Sequence, residues 1–414
     1  MKLQQIMSER KLKIFNGNII TPYRIIKNGT LVVCDGTISD VIEGDIEVPG
    51  AVQIDAKGKY IAPGFIDMHI HGGGGFDFMD GDVSSFLKIA ETHVKYGTTA
   101  MCPTTLTSEL AHLLETLDHY ETAKAINKTG SQFLGMHLEG PYFSKNQSGA
   151  QDPRFMRNPE PREYEKVLFH AQSIRRWSAA PELKGALEFG RHLKALGILP
   201  AIAHTDAIYE EVLEAFENGY TLATHFYSAM SGVSRRNAFR YAGAIEAGYL
   251  IDEMDVEIIA DGIHLPPPLL KLVYKIKGAS RTALITDAMR ATGMPPGKSI
   301  LGNKKDGLEV LIEDGVAKLM DRSAFAGSVA TADRLIRTMV NEAGVPLQEA
   351  IQMMTATPAR ILDVADKKGT ILKGKDADLV LFDEQINIAN TIIKGEIIYS
   401  RELELQYNPI LVKE

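Results

Sequence analysis

The chain has 414 residues, of which 45% are hydrophobic and 24% charged, and its formal net charge is -8. Those proportions belong to a globular protein, and the length exceeds one ordinary domain, so a large α/β barrel with an addition, or two to three smaller domains, is expected. The acidic balance argues against a nucleic-acid partner, which clustered Lys and Arg would hold, but leaves room for a small phosphorylated ligand that needs only one or two local cations.

The first residues, MKLQQIMSERKLKIF, carry no apolar stretch of signal-peptide length, and no run of the chain reaches membrane-spanning length. A cytoplasmic protein without membrane contact is expected. Residues 12–20, 29–44 and 51–61 are β-rich runs divided by Asn-Gly, Asp-Gly and Lys-Gly turn signals. From residue 61 the pattern changes. Apolar strand-like runs fall at 61–71, 98–105, 132–140, 175–182, 198–205, 221–227, 255–264 and 282–288. Between most of them lie amphipathic stretches with helical spacing, such as VSSFLKIAETHVKYG and AIYEEVLEAFENG. Near-continuous apolar strands alternating with helices predict a parallel sheet covered on both faces, and eight such units fit a (β/α)8 barrel of TIM type. Residues 328–343 and 346–356 read as helices. KKGTILKGKDADLVLFDE and NIANTIIKGEIIYS then return to β character. The simplest organisation is a small β-sandwich domain built from both chain ends, 1–60 and 366–414, beside a catalytic barrel over 61–365.

In such a barrel the active site lies at the carboxyl ends of the strands, and there the chain concentrates its ionisable residues. His69 and His71 end the first strand, at i and i+2 and so on one face, with Asp67 one step below. Glu139 ends the third strand, His204 the fifth, His225 the sixth and Asp287 the eighth, and His264 follows the seventh. Each has a bland reading taken alone: a hydrogen-bonded rim histidine, a salt-bridged glutamate, a capping aspartate. His137, one layer below Glu139, reads as an interior or supporting histidine. Taken together, so many ionisable groups in one place call for a cation. With two cysteines in the chain, that cation would rest on His and carboxylate ligands, a donor set that leaves positions open for water. A divalent metal makes bound water acidic, and Asp287 beside it could take the proton and hand it to an amine leaving group. The chemistry predicted is metal-assisted hydrolysis of a C–N bond.

With these residues assembled, the chain resembles the amidohydrolase superfamily and, within it, the family of N-acetylglucosamine-6-phosphate deacetylases. The resemblance rests on PGFIDMHIHG, HLEGP, AHTDA, ATHFYSAM, ADGIH, LITDA, FAGS and KGTILKGKDADLVLFD. It implies removal of acetyl from N-acetyl-D-glucosamine 6-phosphate to give D-glucosamine 6-phosphate and acetate. It implies Glu139, His204 and His225 as core metal ligands, His69 and His71 as a second metal position, and Asp287 as the catalytic acid and base. Glu139 stands where other superfamily members carry a carbamylated lysine. The implied cofactor is one or two divalent ions per subunit, zinc foremost, with iron, manganese or cobalt as alternatives. For the substrate, the resemblance implies contacts from Ala150 and Gln151, from Ser228 and Ala229, from His264, and from Phe325, Ala326 and Gly327 closing over the acetyl group. Gln151 occupies the place of a family histidine that polarises the substrate carbonyl, and Ser228 that of an asparagine. The phosphate is implied to meet an arginine from a neighbouring subunit. Arg235, Arg236 and Arg240 compete for that role, with Arg236 favoured, and a homodimer or dimer-based oligomer follows. Competing readings are the same chemistry on N-acetylgalactosamine 6-phosphate or another amide, and an inactive barrel with a binding role.

Overall fold

The computed structural model describes residues 10–407, apart from the side chains of Arg236 and of residues 405–407. Eight parallel strands form a ring: Phe65–Ile70, Thr98–Pro103, Met136–Glu139, Ile174–Ala179, Leu199–Ile202, Leu222–Ala223, Asp255–Ile258 and Thr282–Leu284. The first pairs with the second, and the third through eighth pair in sequence order. Single parallel bridges, Thr104 with His137 and Ile70 with Ala288, join the two arcs and close the ring. A helix follows each strand. In Val83–His93 the Asp82 side chain accepts from the Ser85 amide at the start, and Phe86, Ile89, Ala90 and His93 share the buried face. Gly97, at φ 89°, turns the chain back into the second strand.

Both chain ends meet in a single eight-stranded sheet beside the ring. Its path runs Glu396–Ser400, Ile388–Ile393, Leu379–Phe382, Tyr60–Pro63, Lys11–Ile20, Ile25–Cys34, Thr37–Glu43, and Val52–Asp55 pairs alongside Lys11–Ile20. Ile14, Leu31, Ile61, Leu379 and Ile392 belong to a buried cluster of its own, separate from the barrel's.

One expected strand over 61–71 is two. Tyr60–Pro63 pairs with Leu379–Phe382 in the terminal sheet, and Phe65–Ile70 enters the ring. Gly64 makes the crossing: a Cβ there would stand 2.1 Å from Thr99 Oγ1, so only glycine fits. The expected helices at 328–343 and 346–356 appear as Ala332–Asn341 and Leu347–Met354, and the chain bends at Thr355 into a further helix, Ala356–Ile361. Two features lie outside the sequence expectations. A three-stranded antiparallel sheet, Gly297–Leu301, Leu308–Glu313 and Val316–Leu319, sits between the eighth strand and its helix, and Ser234–Arg236 pairs with Phe239–Tyr241 as a hairpin. Their strands are short and partly exposed, so they carry little hydrophobic periodicity to read. Among the described residues no helix is long and apolar enough to cross a membrane.

Candidate metal centre

At the carboxyl ends of the strands, two histidine pairs face one carboxylate. His69 Nε2 and His71 Nε2 stand 3.2 Å apart, as do His204 Nε2 and His225 Nε2. Glu139 lies between the pairs: Oε1 is 2.9 Å from His225 Nε2 and 3.3 Å from His204 Nε2, and Oε2 is 3.2 Å from His71 Nε2. Asp287 closes the group, its Oδ1 3.1 Å from His71 Nε2 and 3.5 Å from His69 Nε2. All six side chains are buried.

These separations fit a cation. Ligands about 2.1 Å from a tetrahedral ion lie roughly 3.4 Å from one another, and the atoms of both groups, His69 with His71 and Glu139, and Glu139 with His204 and His225, converge to that spacing. Neutral imidazoles 3.2 Å apart must take opposite tautomers, one nitrogen donating and the other accepting. A shared cation lets every Nε2 lone pair point inward.

The electrostatics suit a cation. Burial pushes the His69 and His71 imidazoles down, but the Glu139 and Asp287 carboxylates outweigh it and lift them to about 9 and about 10. Burial pushes Glu139 and Asp287 up, yet the histidines facing them hold both carboxyls below the usual range, Glu139 well below. Burial alone dominates at His225 and lowers it.

The backbone carries strain at this point. His204, His225 and Asp287 have φ of 47°, 33° and 49°, in the left-handed region that side-chain-bearing residues rarely adopt. Tertiary bonds hold them there. The Asp287 amide donates to His69 O at 2.9 Å, the Ser328 amide donates to Asp287 O at 2.7 Å, and His204 Nδ1 lies 2.7 Å from Gln147 O.

A supporting layer lies beneath. His137 is buried, with Nε2 2.8 Å from Ser178 Oγ and Nδ1 3.2 Å from Thr104 Oγ1, and its ring stands edge-on to His69 at 4.6 Å. Asp67 accepts from the Thr286 amide at 3.3 Å and the His69 amide at 3.4 Å, and burial raises its carboxyl to about 7 despite the Thr286 hydrogen bonds. Sequence reasoning missed the ion pair of Arg176 and Glu257, fully buried in the barrel, with Glu257 Oε2 3.7 Å behind His69 Nδ1. The signal was present as charged residues inside otherwise apolar strands. It also missed Glu182, which accepts from Thr205 Oγ1 at 2.6 Å and from the Asp206 amide at 2.7 Å and so fixes the turn after His204.

The centre opens into a cavity of about 180 Å³ that brings together most of the expected substrate residues: Ala150, Gln151, Ser228, Ala229, His264, Phe325 and Gly327. Leu106, Gly149, Leu301 and Ala324, which had no forecast role, complete its wall. His264 Nδ1 is 2.8 Å from Asp261 Oδ2, and its ring stands 4.6 Å from Phe325. Ala326 is buried behind the wall, its amide bonded to Ala317 O at 3.0 Å. Gln151 has partners beyond the expected carbonyl contact. Its Nε2 donates to Glu139 Oε2 at 2.7 Å, and its Oε1 accepts from the Thr107 amide at 2.8 Å. Arg235 and Arg240 sit opposite each other in the exposed hairpin, outside the cavity. The Arg236 side chain lies outside the described ones. Among the described residues no Lys or Arg lines this cavity.

Ring, rim ligands and neighbouring carboxylate define a hydrolase of the metal-dependent α/β-barrel class. The model of the amidohydrolase family matches residues 60–398. The N-acetylglucosamine-6-phosphate deacetylase of Bacillus subtilis is 33% identical over 386 residues, covering 92% of this chain and 95% of that one. The N-acetylgalactosamine-6-phosphate deacetylase of Escherichia coli O157:H7 is 32% identical, covering 87% and 93%. Among solved structures, a mutant N-acetyl-D-glucosamine-6-phosphate deacetylase of Mycobacterium smegmatis in complex with N-acetyl-D-glucosamine 6-phosphate superposes with a TM-score of 0.86 at 29% identity, covering 94% of this chain and 100% of that one. The chain belongs to the amidohydrolase family, in the branch that holds the amino-sugar-phosphate deacetylases, and is a hydrolase of C–N bonds.

Proposed function

We propose that the protein removes the acetyl group from N-acetyl-D-glucosamine 6-phosphate, giving D-glucosamine 6-phosphate and acetate in amino-sugar breakdown. The observation that carries the reading is Glu139 set between two histidine pairs, 3.2 Å from His71, 3.3 Å from His204 and 2.9 Å from His225, with Asp287 beside them. Residues 61–365 carry the chemistry in this reading, and the described parts of both chain ends supply the terminal sheet alongside.

Glu139, His204 and His225 would hold one divalent ion and His69 with His71 a second; zinc is the first choice, with iron, manganese and cobalt as alternatives. Bound there, such an ion polarises the acetyl carbonyl and acidifies water. Asp287 starts as a carboxylate, since the facing histidines hold its carboxyl below the usual range against the effect of burial. It accepts a proton from the water that attacks the carbonyl carbon. It then delivers that proton to the sugar nitrogen as the C–N bond breaks, so the amine leaves neutral and the water oxygen stays with acetate. His264, fixed by Asp261, and the Ser228–Ala229 turn face the space where the sugar would lie. Phe325, with Ala326 and Gly327 behind it, closes over the acetyl group. The described wall offers no Lys or Arg, so the phosphate would meet the arginine hairpin, Arg235, Arg236 and Arg240, of a second copy in a homodimer or dimer-based oligomer.

N-acetylgalactosamine 6-phosphate is the second reading, because the galactosamine-specific relative is 32% identical to this chain, as near as glucosamine-specific ones. Kinetics on both epimers, with and without the phosphate and with metal content measured on the same sample, decide between them. A clear preference for the glucosamine phosphate is expected. Equal turnover without phosphate would overturn the sugar-phosphate reading.

A further inference from the structure

Gln151 has both ends of its amide engaged, although it stands in a loop at the mouth of the site. The carbonyl oxygen accepts from the Thr107 backbone amide at 2.8 Å, which fixes the plane and direction of the side chain. The NH2 donates to Glu139 Oε2 at 2.7 Å. Its partner is thus a particular oxygen of the shared carboxylate. Glu139 Oε1 faces His204 and His225, and Oε2 faces His71 at 3.2 Å. A carboxylate oxygen has two lone-pair directions. Oε2 thus has the Gln151 amide at 2.7 Å and the His71 ring at 3.2 Å. Gln151 is buried. A free carboxylate would swing about its last torsion and offer both oxygens to the His204–His225 side. The clamp forbids that swing.

We propose that Gln151 is a positioning residue that holds Glu139 as a carboxylate shared between two metal ions, and that it governs occupancy of the His69–His71 position rather than of the His204–His225 position. This rests on the metal-centre reading above. Hydrogen-bond partners of metal ligands set affinity by about 10–100-fold, and here the loss should fall on one ion of two.

The test is metal binding to the full chain, with no turnover needed. Wild type, Gln151→Met, which keeps the volume without the donor, and Gln151→Ala, which demands no room, are stripped with chelator and titrated with Mn(II). Bound equivalents are counted by mass spectrometry of the metal, and the thermal midpoint of each ion-free protein is recorded. Wild type should take up two ions. Both variants should hold the first with unchanged affinity and bind the second about 10–100-fold more weakly, any fall in the ion-free midpoint reflecting the lost bond to the Thr107 amide. Two ions at unchanged affinity in either variant would overturn the role of Gln151 while leaving the centre intact. Joint loss of both ions would assign Gln151 to the loop's fold and overturn the proposal as well. Fewer than two ions in wild type would overturn the shared-carboxylate centre itself.

Discussion

Occupancy of the His69–His71 position should depend steeply on pH. Burial pushes both imidazoles down, but Glu139 and Asp287 lift them to about 9 and about 10 in the ion-free protein. Their Nε2 atoms are 3.2 Å apart, too close for two imidazolium charges, so the pair holds one proton between them. Ligation requires both rings neutral, and that proton competes with the ion. Raising the pH from 7 to 9 lowers the proton concentration about a hundredfold, so apparent affinity should rise about 50–100-fold, close to tenfold per unit. The other position should lack this slope, because burial holds His225 below its ordinary value and leaves it no proton to lose there. The measurement is a titration of ion-free protein with Mn(II), followed by the magnetic-resonance signal of the free ion, at pH 7, 8 and 9. Two classes of site are expected, one rising with pH and one flat. A flat response in both, or the same slope in both, would refute the reasoning.

Asp287→Asn keeps the size of the side chain and removes the proton acceptor. It should lower kcat by about 10²–10⁴-fold with metal content unchanged, and near-normal turnover with metal bound would sink the proton-transfer role. His93 predicts a separate acid limit on stability. Its Nε2 donates to Gly72 O at 2.9 Å under the glycine run, and burial lowers its pKa to about 4. A lowered histidine contributes stability that is full above the unfolded value of about 6.5 and is lost as pH falls through the folded value, about 3 kcal/mol in all and roughly 2 kcal/mol by pH 5. His93→Gln keeps a donor without the titration. Chemical denaturation at pH 7 and pH 5 should show it losing correspondingly less than wild type, and an equal loss would remove His93 as the cause.

The fold was legible where the chain is most regular. Eight apolar strands with helices between them predict the ring, because strands buried on both faces must be apolar throughout. Turn signals likewise marked the β-rich character of both ends. What failed was the crossing at Gly64. Ile61 and Phe65 are both fully buried, one in the terminal sheet's core and one in the barrel's, and composition cannot tell two cores apart. The insert at residues 297–319, whose Leu301, Val310, Ile312 and Ala317 join a small buried cluster, and the exposed hairpin at 234–241 escaped because their strands are too short to stand apart from the barrel's pattern.

The candidate ligands were legible because metal sites are built from few residue types at strand ends. Their coordination was not. Gln151 illustrates the gap. By position it read as a donor to the substrate carbonyl, and the structure adds a bond from its amide to Glu139, set by the Thr107 amide 44 residues away in sequence. The left-handed backbone at His204, His225 and Asp287 is likewise invisible in a strand pattern that simply ends there. Such a conformation costs about 1–3 kcal/mol per residue and persists only where neighbours over-determine it. Here the neighbours are supplied by closure of the ring: Asp287 is held by His69 O, and Ala288 bridges Ile70 at the seam between the eighth and first strands. Closing the barrel and aiming the acid at the histidine pair are therefore one event, and a chain with the same ligands on an open sheet would not place Asp287 within reach of His71.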